Sequence, residues 1–93
     1  MKSFHKKYEN LLKSEGFTIQ NQTENNIDYI RPDGIIINII ENDNEYVTVT
    51  SILPKDEIEY TTTISHADPS GIFERLIRRF HNKYLYQNIQ YNH

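Results

Sequence analysis

Apolar residues recur along this chain first with a helical period, then with a period of two, then with a helical period again. Phe4, Tyr8, Leu11 and Leu12 stand at i, i+4, i+7 and i+8, one face of a helix. Ser3 suits the N-cap and Gly16 the left-handed stop, so a helix is expected from Phe4 to Glu15. Its outer face carries Lys6, Lys7, Glu9 and Lys13. A short strand from Gly16 to Gln20 follows, with Phe17 and Ile19 inward. Asn21 to Asn26 contains no apolar residue and reads as a mobile loop. Ile27 to Arg31 is the next strand, and Pro32-Asp33-Gly34 reverses the chain.

The centre of the pattern is a pair of strands, Ile35 to Ile40 and Tyr46 to Leu53, joined by the polar turn from Glu41 to Glu45. Ile35, Ile37 and Ile39 share one face with Val47, Val49 and Leu53, which is the expected core face. After the turn Pro54-Lys55-Asp56, Glu57 to Ile64 alternates: Ile58, Tyr60, Thr62 and Ile64 one way, Glu57, Glu59, Thr61 and Thr63 the other. Asp68 as N-cap and Pro69 at the first position then open a second helix, expected from Pro69 to Tyr86. Its apolar stripe is Ile72, Phe73, Leu76, Ile77, Phe80 and Tyr84, and the polar tail 87–93 is expected to fray.

The order α-β-β-β-β-β-α with short connections implies one α+β domain over residues 1–93. It is an antiparallel meander of four or five strands, with the N-terminal and C-terminal helices packed on one face. Ninety-three residues make a single domain with a modest core. The chain has no cysteine, which excludes disulfides and thiolate metal sites. No apolar run approaches the ~18 residues of a membrane span, and no apolar stretch follows the basic N-terminus as a signal peptide requires. A cytoplasmic protein without membrane contact is expected.

The formal net charge of −3 is unevenly spread. Residues 1–14 carry +3, residues 15–60 carry −8 and residues 61–93 carry +2. An acidic centre between basic ends favours binding through one face over bulk attraction to nucleic acid.

Catalytic and metal-binding patterns are weak. His5, His66, His81 and His93 stand at no helical metal spacing, and His66, two residues before Asp68, is explained by a local turn hydrogen bond. Glu57 and Glu59 share an outward strand face about 7 Å apart, but nothing there drives their pKa values apart as a catalytic pair requires. Gly16, Gly34 and Gly71 are the only glycines and each has a turn or cap role, so no phosphate loop is expected. Gly71 opens the second helix beside Ser70, yet the charge of Asp68 opposes an anion there. No enzyme activity, cofactor or metal is expected.

Three surfaces remain. On the second helix Arg75, Arg78, Arg79 and Asn82 form one polar stripe, with His81, Lys83 and Tyr86 nearby. It could follow a phosphate backbone or dock into an acidic groove, although an amphipathic helix needs a polar face and bases suit its C-terminal half. The second sheet face gathers Ile30, Ile36, Ile40, Tyr46 and Ile52 beside Thr48 and Thr50. Exposed, it would form a patch for a partner protein or for a homodimer; the plain alternative is that β-branched residues are good strand formers. Finally, Glu41, Asp43, Glu45, Asp56, Glu57 and Glu59 cluster around two turns and the last strand, where they could meet a basic groove on a partner protein, in the extreme by imitating nucleic-acid phosphates; the plain alternative is that solvated turns are often acidic.

The expected function is a small non-enzymatic protein-binding module, a regulator or inhibitor that occupies a surface on a partner protein. Tyr46, Arg75 and Arg79 are its expected anchors. In composition the chain resembles accessory proteins of phages and mobile elements, such as anti-defence inhibitors; no motif carries that resemblance. The alternative is a nucleic-acid-binding protein using the basic stripe of the second helix.

Overall fold

The computed structural model describes residues 4–43 and 45–79. Two short helical segments, α1 (Phe4–Lys7) and α2 (Glu9–Ser14), precede five strands. These are β1 (Thr18–Gln22), β2 (Asn26–Ile30), β3 (Ile36–Glu41), β4 (Tyr46–Leu53) and β5 (Ile58–Ser65). A 3-10 turn at Pro54–Asp56 separates β4 from β5, and a third helix, α3, occupies the described residues 72–79. The strands lie in the order β1-β2-β3-β4-β5, each antiparallel to its neighbours. The fold is α+β, a five-stranded meander with helices from both ends of the chain on one face.

Alternation in β3 and β4 decides which face that is. Ile37, Ile39, Val47 and Val49 are fully buried. Register aligns Ile39 with Val49 and Ile37 with Ser51, so the buried positions form continuous rows across the sheet. Burying an aliphatic side chain of this size contributes about 1.5–3 kcal/mol, so these rows dominate the core. Phe4, Leu12, Phe73 and Ile77 from the helices join the same apolar cluster. Where the two ends of the chain meet, Phe73 packs edge-on to Phe4 with ring centroids 5.3 Å apart and tilted against Tyr8 at 4.7 Å.

The N-terminal helix departs from the expected continuous run at Tyr8, which lies at φ −109°, ψ 12°. The Tyr8 amide donates to His5 O rather than one residue further back, a 3-10-type tightening, and the α-helical bond from Leu12 to Tyr8 O resumes the helix. The end is as expected. Gly16 takes φ +89°, its amide donates to Lys13 O and the Phe17 amide to Leu12 O, a Schellman closure.

Three strand expectations need correction. The first strand begins at Thr18, so Phe17 is buried from the preceding turn. Ile19 is 54% exposed despite lying opposite buried Tyr29, because β1 is an edge strand with no neighbour on its far side. Half of the expected loop from Asn21 to Asn26 is strand: Asn21 and Gln22 extend β1, and Asn26 opens β2. β1 and β2 close through Thr23, Glu24 and Asn25, with the Thr23 amide donating to Asn26 O. Glu57 lies outside β5: it ends the 3-10 turn at φ +53°, so it does not share a strand face with Glu59.

The β2–β3 turn is fixed by charge. Buried Arg31 and half-buried Asp33 form a two-pronged ion pair, with Arg31 Nη2 2.7 Å from Asp33 Oδ2. The guanidinium also sits 5.3 Å from the Phe17 ring centre. Burial pushes the Asp33 carboxyl up, but hydrogen bonds from Arg31 and the Ile35 amide outweigh it and hold it below its ordinary value.

The C-terminal helix begins later than expected. Asp68 adopts φ +45° and Gly71 φ +64°, so Asp68-Pro69-Ser70-Gly71 is a turn and helical geometry starts at Ile72. Asp68 still caps the helix: its carboxylate accepts from the Ile72 amide at 2.8 Å and the Phe73 amide at 3.1 Å. Phe73 and Ile77 are buried as expected, while Ile72 is exposed. The Ser3 cap, the helix beyond residue 79 and the tail 87–93 lie outside the described residues. Among the described residues no helix is long and apolar enough to cross a membrane.

The Tyr8 hydroxyl also donates to Asp68, at 2.5 Å. Replacing Asp68 with Ala is expected to lower stability by about 2–4 kcal/mol, from the lost cap and the stranded donors, while Asp68→Asn retains most of it. Urea denaturation of the two variants reads this difference. Burial, followed by the hydrogen bond to Asp68, pushes the Tyr8 phenol above its ordinary value, and burial raises Tyr29 as well. A phenol pKa raised on folding contributes stability that is complete below the unfolded value of about 10 and is lost as pH rises through the folded value. Stability is therefore expected to fall above about pH 10, less steeply in Tyr8→Phe, as read by denaturation at stepped alkaline pH.

Candidate functional site

The face of the sheet opposite the core is covered by no described element. Register builds it row by row. Ile30, Ile36, Ile52 and Glu59 form one row, Asp28, Asn38, Thr50 and Thr61 the next, and Asn26, Ile40, Thr48 and Thr63 the third. Tyr46 stands beyond them opposite Ser65, 48% exposed. The isoleucines are half-buried by their neighbours within the sheet.

The middle row is bonded within itself and to Asn26 of the third row. Asn38 Nδ2 donates to Asp28 Oδ1 at 2.5 Å and to Asn26 Oδ1 at 2.6 Å, and the Thr50 and Thr61 hydroxyls lie 3.2 Å apart. A self-satisfied polar row beside an isoleucine row offers shape and apolar contact more than unfilled hydrogen-bonding capacity. All seven residues singled out from the alternation, Ile30, Ile36, Ile40, Tyr46, Thr48, Thr50 and Ile52, meet on this face.

The acidic set does not stay together. Glu41 extends β3 onto the core face instead of opening a solvated turn, and it is buried. Its Oε1 accepts from the Phe4 amide at 2.5 Å and lies 3.3 Å from His66 Nε2. Glu41 therefore ties the start of α1 to the sheet. Asp43 is exposed and its Oδ1 accepts from the Glu45 and Tyr46 amides, which hold the carboxyl below its ordinary value. The exposed Glu45 accepts the His66 amide on its carbonyl at 2.6 Å. Asp56 and Glu57 belong to the 3-10 turn, and Glu59 alone of this set reaches the uncovered face.

His66 also differs from its expected role. The Asp68 amide donates to Ser65 O, and the His66 ring turns away to Glu41 and the edge of Phe4. Burial, ahead of the neighbouring charges, lowers the pKa of His5 from its ordinary value. Among the described residues no three His, Cys, Asp or Glu side chains are grouped to hold a metal ion. The helix start at Gly71 offers nothing to an anion, since Asp68 already occupies the Ile72 and Phe73 amides.

On α3, Arg75, Arg78 and Arg79 are exposed, with Arg78 Nε 3.8 Å from Glu74 Oε2. His81, Asn82, Lys83 and Tyr86, the rest of that surface, lie outside the described residues. The arginines share the helical layer, so they and the uncovered sheet face look in different directions. The residues that the sequence reading missed are structural: Glu41, Arg31 with Asp33, and the reach of Tyr8 to Asp68. For Glu41 a signal existed, since it continues the inward alternation of Ile37 and Ile39.

No protein family model, no curated protein and no solved structure matches this chain.

The two glutamates should separate cleanly by substitution. Glu41→Ala leaves the buried Phe4 amide without its acceptor and is expected to cost about 1–3 kcal/mol. Glu59→Ala, at an exposed position, should stay within about 0.5 kcal/mol of the parent. Thermal melts followed by circular dichroism measure both.

Proposed function

We propose that this chain is a non-enzymatic binding module that acts by occupying a surface on a partner protein, as a regulator or inhibitor does. The observation that supports this reading is the uncovered sheet face, where an isoleucine row, Ile40 and the exposed Tyr46 stand together on a five-stranded platform. Contiguous exposed apolar surface of a few hundred Å² marks interaction sites, and an aromatic residue at its margin suits an anchor. The only charged residues in the paired rows are Asp28 and Glu59, so the face favours a protein over a phosphate backbone. The cysteine-free composition suits a reducing compartment such as the cytoplasm.

The exposed Arg75, Arg78 and Arg79 support a second reading, nucleic-acid binding along α3. Glu74 offsets part of that charge through Arg78. Three phosphate contacts would give a weak, strongly salt-dependent affinity.

Affinity capture from nuclease-treated cell lysate decides between them. A specifically retained protein should be lost by about tenfold or more on Tyr46→Ala/Ile36→Lys and kept on Arg75→Ala/Arg79→Ala. Retention that needs intact nucleic acid, falls steeply with added salt and disappears on Arg78→Glu would overturn the protein-binding reading in favour of the second.

A further inference from the structure

The two edges of the sheet are protected unequally. β1 is short, and its register against β2 shifts between Ile19 and Asn21. Such a bulge twists an edge and interrupts its row of backbone donors and acceptors, a common device against edge pairing. β5 is eight residues long and keeps unbroken register with β4 from Leu53↔Ile58 to Tyr46↔Ser65. It has no proline and no lysine, and Glu59 is its one charge. Among the described residues no strand pairs with its outer side.

We propose that this outer edge of β5 pairs with the same edge of a second copy, joining two sheets into one continuous antiparallel sheet across a two-fold axis that passes between the two copies of Thr62. A two-fold perpendicular to the sheet keeps each face on its own side, so directly opposed residues must face the same way and the axis must pass between a residue and its own copy. Placed at Thr62, it sets Tyr60 opposite Ile64, Thr61 opposite Thr63 and Glu59 opposite Ser65. Aromatic–β-branched and Thr–Thr oppositions are favourable cross-strand pairs, and no acid faces an acid.

The exposure pattern fits that occupant. Tyr60 lies in register with Ser51 and Ile58 with Leu53, so both are on the core face, yet they are 51% and 42% exposed. Their exposed surface lies at this unpaired edge, where a flanking strand would cover part of it. The inference goes beyond the partner-binding reading and does not rest on it, since it uses the edge and leaves the uncovered face free. A dimer would set two such faces side by side.

The test is the mass of the full chain in solution, by light scattering over a concentration series. The expected result is an assembly of twice the 11.1 kDa chain mass. Thr62→Lys, which opposes two ammonium groups across the axis, should weaken it at least tenfold, while Tyr46→Ala/Ile36→Lys leaves it intact. The chain lacks cysteine, so Thr62→Cys can form only an intermolecular disulfide, which should form on mild oxidation much faster than in Ile19→Cys at the other edge. A monomer at all concentrations up to about 1 mM overturns the proposal. So does a dimer that survives Thr62→Lys but dissociates in the face variant, or a Thr62→Cys disulfide no faster than that of Ile19→Cys. Loss of partner capture with the dimer intact would count only against the partner-binding reading.

Discussion

Helices from opposite ends of the chain share one face of the sheet, and the carboxylate of Asp68 is where they are joined. It accepts the first amides of α3, which have no partner within their own helix, and it accepts the Tyr8 hydroxyl from the N-terminal helix. Phe73, whose amide it holds, then packs its ring against both Phe4 and Tyr8, which also touch each other. Glu41 makes the matching tie at the other end of α1, from sheet to the Phe4 amide. The helical layer is thus held by two buried carboxylates acting on backbone donors, with the aromatic cluster between them. Without these ties the apolar stripes would still bury, but nothing directional would fix where they lie.

Much of this architecture is legible from period alone. β3 and β4 read without ambiguity, because Ile37, Ile39, Val47 and Val49 alternate with residues that the structure leaves half-buried. Period cannot report what lies beyond a strand's flank. Ile19 alternates correctly and faces the same way as Tyr29, yet it remains exposed because the edge of the sheet has no further strand. Glu41 fails for the opposite reason: its charge suggests a turn, and only the position of the Phe4 amide, distant in sequence, makes burial favourable. The late start of α3 is a backbone matter. Asp68 caps from a left-handed conformation four residues ahead of the first helical amide, a geometry that an Asp-Pro pair does not disclose.

The candidate face was legible in its membership but not in its chemistry. Alternation places the isoleucines and threonines on one side. It does not reveal that Asn38 satisfies Asp28 and Asn26, or that Thr50 and Thr61 satisfy each other. Those contacts remove most of the hydrogen-bonding demand from the centre of the face. Recognition there would accordingly depend on the isoleucine row and on Tyr46, with the bonded polar row serving as a flat, already compensated floor. The acidic residues contribute less than their number implies. Glu41 is consumed by the fold and Asp43 by its own turn, and Glu57 ends the 3-10 turn in a left-handed conformation, outside the β5 strand.

A one-layer sheet with helices on one side has two kinds of unsatisfied surface, a face and two edges, and this chain treats each differently. Face exposure is tolerable in water because the polar row divides the apolar residues. The β1 edge is closed by its bulge. The β5 edge retains an unbroken run of uncharged residues from Tyr60 to Ile64, with Tyr60 itself and Ile58 exposed. Edge protection adds nothing to the stability of an isolated monomer, so a sequence that bulges one edge and leaves the other flat distinguishes between them for a reason outside the monomer. Self-pairing through Thr62 supplies such a reason with the residues already in place, and it would turn a small platform into a broad one without altering the core.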